Sequence, residues 1–149
     1  MPLDYDLEFE QDIEPKKVLQ LLVDSHRFQW QDVGISGFGI WINAYKEDEE
    51  DIKILTEKRI KFQPQTVVRF SYRSKSDSEN EERTLIRAVM TLLNNVSGNA
   101  VLLFNCETIV FQRIENQLTF NNNFFEKYTA DEMQKLNIPY KLEKLPKVT

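Results

Sequence analysis

A chain of 149 residues with 41% hydrophobic and 29% charged side chains has the size and composition of one globular domain, not of a disordered or fibrous chain. One Cys and one His exclude a disulfide framework and any zinc site built mainly from those two residue types. A net charge of -5 argues against nucleic acid as a partner, because phosphate contacts require a basic face.

The first element is a strand. Leu3, Tyr5, Leu7 and Phe9 alternate with Asp4, Asp6, Glu8 and Glu10, so period two separates an apolar face from an acidic one. That pattern predicts a solvated acidic face and antiparallel pairing. A helix follows over residues 15–24. Pro15 suits its first turn, and Val18, Leu19, Leu21 and Leu22 form an apolar stripe. Residues 26–37 follow no clean period, and Gly34 and Gly37 interrupt them. A strand resumes over 38–46, with Trp41 and Tyr45 on one face and Ile40 and Ile42 between them. Glu47, Asp48, Glu49, Glu50 and Asp51 then form a run of five acids. Ile52, Ile54 and Ile60 lie at even spacings, so residues 38–60 read as a hairpin with an acidic tip. A helix over 50–60 is the competing reading.

Residues 66–73 form another strand, with Val68, Phe70 and Tyr72 facing the core and Arg69 and Arg73 facing solvent or a partner. After a polar loop over 74–80, Ser78 and Glu81 match a capping box. The helix they open runs to about residue 95 and buries Leu85, Ile86, Val89, Leu92 and Leu93. Residues 100–105, 108–113 and 117–120 read as a three-stranded meander. Thr129 and Glu132 form a second possible capping box for a short helix ending at Leu136, before Pro139. The tail carrying Lys141, Lys144 and Lys147 is expected to be loosely held. The whole is a single α+β domain over residues 1–149: one antiparallel sheet, two main amphipathic helices on one face, and a short C-terminal helix.

Charge is unevenly spread. Residues 1–52 hold 13 acidic and 4 basic side chains, and residues 53–149 hold 11 and 15. An acidic front half solubilises the chain and would steer a basic partner over roughly 8 Å at physiological salt. The opening residues lack the basic and apolar regions of a signal peptide, and no run approaches the ~18 apolar residues of a membrane span. With a lone Cys, the chain reads as cytoplasmic, reduced and not bound to membrane.

Chemistry is sparse. His26 and Cys106 are the sole imidazole and thiol, and Glu107 beside Cys106 disfavours a thiolate. The spacing of Gly34, Gly37 and Gly39 fits no phosphate-binding loop, and the acidic run lacks the spacing and glycine of an EF-hand. The residues thus name no catalytic group, no metal ligand and no cofactor. The acids at Glu47 to Asp51, the face of Asp4, Asp6 and Glu8, and the two tryptophans Trp30 and Trp41 are the candidate partner-binding residues, tryptophan being enriched at binding hot spots.

The pattern also resembles a family of small bacterial proteins that includes immunity proteins against swarm-inhibition toxins exchanged between myxobacterial cells. The resemblance rests on Leu3-Asp4-Tyr5-Asp6-Leu7-Glu8-Phe9 with the helix over 15–24, on Phe62-Gln63-Pro64-Gln65-Thr66-Val67-Val68-Arg69-Phe70, on the helix over 85–93, and on Leu103-Phe104-Asn105-Cys106-Glu107 with Ile109-Val110-Phe111-Gln112-Arg113, in that order. It implies a binding protein that neutralises a cognate toxin; with no catalytic group in view the chain reads as non-enzymatic, and its acids suit a basic partner. Two other classes remain open. A small-ligand binder or enzyme requires a pocket between sheet and helices. A structural or oligomerisation domain requires an exposed sheet edge, at 66–73 or 117–120.

Overall fold

The strand that opens the sequence, β1 (Asp4–Phe9), lies at the centre of the sheet. The computed structural model describes residues 4–57, 60–72 and 78–148, without the side chains of residues 78 and 79. Leu3, Arg73 and residues 74–77 lie outside the described residues, as does the Ser78 side chain of the expected capping box.

In chain order the elements are β1, α1 (Pro15–Ser25), β2 (Gln29–Trp30), β3 (Ile35–Gly37), β4 (Ile40–Lys46), α2 (Glu49–Glu57), β5 (Thr66–Tyr72), α3 (Ser78–Asn95), β6 (Ala100–Phe104), β7 (Thr108–Ile114), β8 (Gln117–Asn121), α4 (Lys127–Leu136) and β9 (Lys141–Glu143). Among the described residues nine strands form one sheet in the order β2-β3-β4-β5-β1-β6-β7-β8-β9. Neighbours are antiparallel except β8 and β9, which are parallel. The fold is α+β, with a larger sheet than the sequence suggests. Neither strand expected to expose an edge does so: β5 lies between β4 and β1, and β8 between β7 and β9.

Register explains the two faces. Ala44, Val68, Leu7, Leu102, Phe111 and Phe120 lie opposite one another across six strands and so share one side of the sheet. They pack in one cluster with Val18, Leu19 and Leu22 of α1, Leu85, Val89 and Leu92 of α3, and Met133 of α4. On the other side a smaller cluster joins Val101 and Leu103 of β6 and Ile109 of β7 to Ile60, Phe62, Leu145 and Val148.

The C-terminal segment is therefore not loose. Its lysines mark exposed positions, but Leu145 and Val148 are buried, and the Val148 N–H donates to the Glu107 carbonyl at 2.7 Å. Apolar burial outweighs the charge pattern there. The expected capping box at Thr129 and Glu132 is also absent. Both residues lie inside α4, which starts after Glu126, and both are buried. Glu132 is engaged elsewhere: Arg87 grips it through Nε and Nη2 at 2.9 and 2.8 Å, and Arg83 Nη1 joins at 3.2 Å. This clasp ties α4 to α3. Asn137 ends α4 in the left-handed region with φ 54°.

Arg113 closes the other end of α3. Its guanidinium donates to the carbonyls of Leu93, Val96 and Gly98 at 2.7, 2.5 and 2.8 Å, satisfying acceptors that a helix end leaves free. Arg113→Met removes all three bonds at a half-buried site. It is expected to lower stability by about 2 kcal/mol, the scale of charge-assisted bonds. Urea unfolding measures this, and an unchanged midpoint would show that water replaces the side chain.

Candidate functional site

The polar face of the sheet is built by alternation. Trp41, Asn43 and Tyr45 of β4, Arg69 and Ser71 of β5, and Asp4, Asp6 and Glu8 of β1 all point away from the main core. The sequence pattern places the acids in solvent there. The structure corrects this: Asp6 is 6% exposed and Glu8 only 2%. The physical reason is cross-strand pairing and cover. Arg69 lies opposite Asp6 and holds it from Nε to Oδ1 at 2.7 Å and from Nη2 to Oδ2 at 3.0 Å. Asp4 Oδ1 accepts from the Ser71 hydroxyl at 2.7 Å. Glu8 is flanked by Val67 and Val101, both buried.

The second correction concerns the acidic run. Residues 52–57 are helical and not a strand paired with β4, whose sheet partners are β3 and β5. The acids instead start α2. Asp48 Oδ1 accepts the Asp51 N–H at 2.7 Å, as an N-cap does, and the Ile52 N–H reaches the Asp48 carbonyl at 2.9 Å. Glu49, Glu50 and Asp51 fill the first turn, where the helix dipole favours negative charge. Four of the five acids, Asp48 to Asp51, thus have a local structural role as well as a charge. No residue of α2 is buried.

The chain brings most of the expected residues together and leaves one apart. A cleft of about 180 Å³ opens between α2 and the polar face, lined by Asp6, Tyr45, Glu47, Asp51, Arg69 and Cys106. Asp48, Glu49 and Glu50 are exposed on the rim side of α2, and Trp41 lies two residues from Asn43 along the same face. Trp30, 44% exposed, pairs with Ile35 and so belongs to the opposite side of the sheet, at its outer strand. Sequence reasoning missed Tyr45, Arg69 and Cys106 as neighbours of the acids. The alternation of 66–73 did place Arg69 off the core face. Its guanidinium lies 5.8 Å from the Tyr45 ring centre.

The electrostatics follow from burial. Glu8 lies well above the usual carboxylate range, first because burial penalises its charge, then through its hydrogen bond and repulsion with Glu47. One Glu8 oxygen, Oε1, has no hydrogen-bond partner. Glu47 is raised as well, chiefly by burial. The Cys106 thiol, 3.3 Å from Asp6 Oδ2, is pushed up to about 11 by burial and by Asp6. It is a poor nucleophile, and His26 is engaged elsewhere, with Thr91 Oγ1 at 2.9 Å. Among the described residues no group of three or more His, Cys, Asp or Glu side chains is placed to hold a metal ion. No helix among them is long and apolar enough to cross a membrane.

A pH dependence follows. Folded Glu8 keeps its proton where the unfolded chain has lost it, so unfolding releases a proton above about pH 4, the ordinary carboxylate value. Stability from this group is full below that pH and declines as pH rises. The melting temperature of the protein is expected to fall between pH 5 and pH 8. Glu8→Gln, which retains a donor for Glu47, should remove most of that fall. At pH 8 the variant should melt about 4–8 °C higher, equivalent to about 2 kcal/mol. Parallel melting curves for the two proteins across this range would refute a neutral Glu8.

The arrangement as a whole defines an α+β protein with a polar sheet face partly roofed by an acidic surface helix. Residues 3–128 match the family model described as SitI3-like, and the chain belongs to that family. The match takes in β1 to β8, α1 to α3 and the cleft. No curated protein and no solved structure matches the chain.

Proposed function

We propose that this chain is a non-enzymatic, immunity-type protein that binds a cognate toxin in the cytoplasm and neutralises it. The observation that carries this reading is the SitI3-like match over residues 3–128, which agrees with the resemblance to immunity proteins drawn from the sequence. Support for the mode of binding comes from the acids. Asp48, Glu49, Glu50 and Asp51 are exposed, and among the described residues no ion pair engages them or Glu47. Unpaired surface charge of one sign attracts a partner of the other, so the toxin presents a basic surface to α2. Asp4 and Trp41 extend the contact along the sheet face. Asp6 and Glu8, buried, hold the floor beneath it instead of touching the partner. Trp30 lies at the far edge of the sheet and serves as the control position.

The test is protection. Cells expressing the cognate toxin should survive when they also express this chain, and the two proteins should co-purify as a complex that weakens with salt. Survival of the cells without a complex, or death despite a stable complex, would overturn direct neutralisation.

A further inference from the structure

On the opposite side of the sheet from α2, a second cavity of about 220 Å³ lies between the strands, α3 and the segment leading into α4. Its floor is apolar: Leu85 and Val89 from α3, and Leu102, Phe111 and Phe120 from the sheet, all buried. About 150 Å³ of apolar space is enough to admit benzene. Its rim is different in kind. Glu82, Glu126, Phe124 and Tyr128 form it, none of them buried.

Glu82 is the informative group. The Tyr5 hydroxyl donates to its Oε1 at 3.2 Å. Burial raises this carboxyl above its ordinary value, and Glu126 is near enough to add to the effect. Among the described residues no ion pair engages it. An apolar cavity with two carboxyl groups and two aromatic rings at its mouth selects for a ligand of matching polarity. Such a ligand has one apolar end and one cationic end.

We propose that this cavity binds a small arylalkylamine, its ring on the Phe111–Phe120 floor and its ammonium between Glu82 and Glu126. A carboxylate on the same body would meet two like charges, and a free short amine would leave the floor empty. The site is independent of the toxin-binding reading, since it lies on the other side of the sheet.

The experiment is a calorimetric titration of the full chain with 2-phenylethylamine, and with 3-phenylpropionate as the probe of like shape and opposite charge. The amine is expected to bind saturably, at least tenfold more tightly than the acid. Glu82→Gln, nearly isosteric and checked for an unchanged melting curve, should weaken the amine at least tenfold, and Glu126→Gln, on the surface, should weaken it less. Lack of saturable amine binding, equal binding of both probes, or equal binding by wild type and both variants would overturn the proposal.

Discussion

Replacing Arg69 with Met is expected to lower the stability of the fold by about 3 kcal/mol, a fall in melting temperature of about 6–12 °C. Asp6 is 6% exposed, and Arg69 is the one cation among the described residues that pairs with it. Removing the guanidinium leaves a carboxylate with a second carboxyl, Glu8, near it on the same strand and face. Breaking one partner of a buried pair costs more than the pair contributes, because the remaining charge stays desolvated. The lower end of the usual range applies, since the Arg69 side chain keeps 40% of its surface in solvent. The double variant Asp6→Asn with Arg69→Met removes both charges, and should recover at least half of the loss. Urea denaturation of the four proteins of this cycle measures the coupling. Additive losses would mean that Arg69 acts by packing over Tyr45 and not by holding Asp6.

This pair also shows where the sequence stops being readable. β1, α1, β5 and α3 were legible from a period of two or 3.6, and the meander of β6 to β8 from short apolar runs set between turns. The acids of β1 keep the same period, and a period says which face a residue takes, not what covers that face. The answer lies far along the chain, in Arg69 and in the segments carrying Phe62, Leu145 and Val148. The tail was misread for a related reason. Leu145 and Val148 are two apolar residues among lysines, too few to make a pattern, yet they complete a buried cluster. In the acidic run two structures share one local signal. Five charges suit a hairpin tip as well as a helix start, and only the reach of Asp48 Oδ1 to the Asp51 N–H separates them. Of the candidate site, the side taken by Trp41 and Tyr45 was legible from alternation. The opposite placement of Trp30 was not, because residues 26–37 form two short strands without a sustained period.

The role of α2 in binding is best tested without unfolding it. Asn caps a helix as well as Asp does, so Asp48→Asn, combined with Glu49→Gln, Glu50→Gln and Asp51→Asn, removes four charges and keeps the cap. Circular dichroism should be unchanged, since α2 packs on the core through Leu55, which the variant keeps. Association with the cognate toxin is expected to slow about 10–100-fold at low ionic strength, the range that electrostatic steering supplies. Dissociation should change much less, because exposed charges act on the approach more than on the bound contact. The two proteins should converge as salt rises and the screening length drops to about 3 Å at 1 M. A substitution at the far edge that changes no charge, Trp30→Gln, leaves the field intact and should leave the rate intact. An unchanged association rate and salt slope in the four-fold variant would remove α2 from the interface. The toxin would then have to meet the chain on the other side of the sheet or at the strand that carries Trp30.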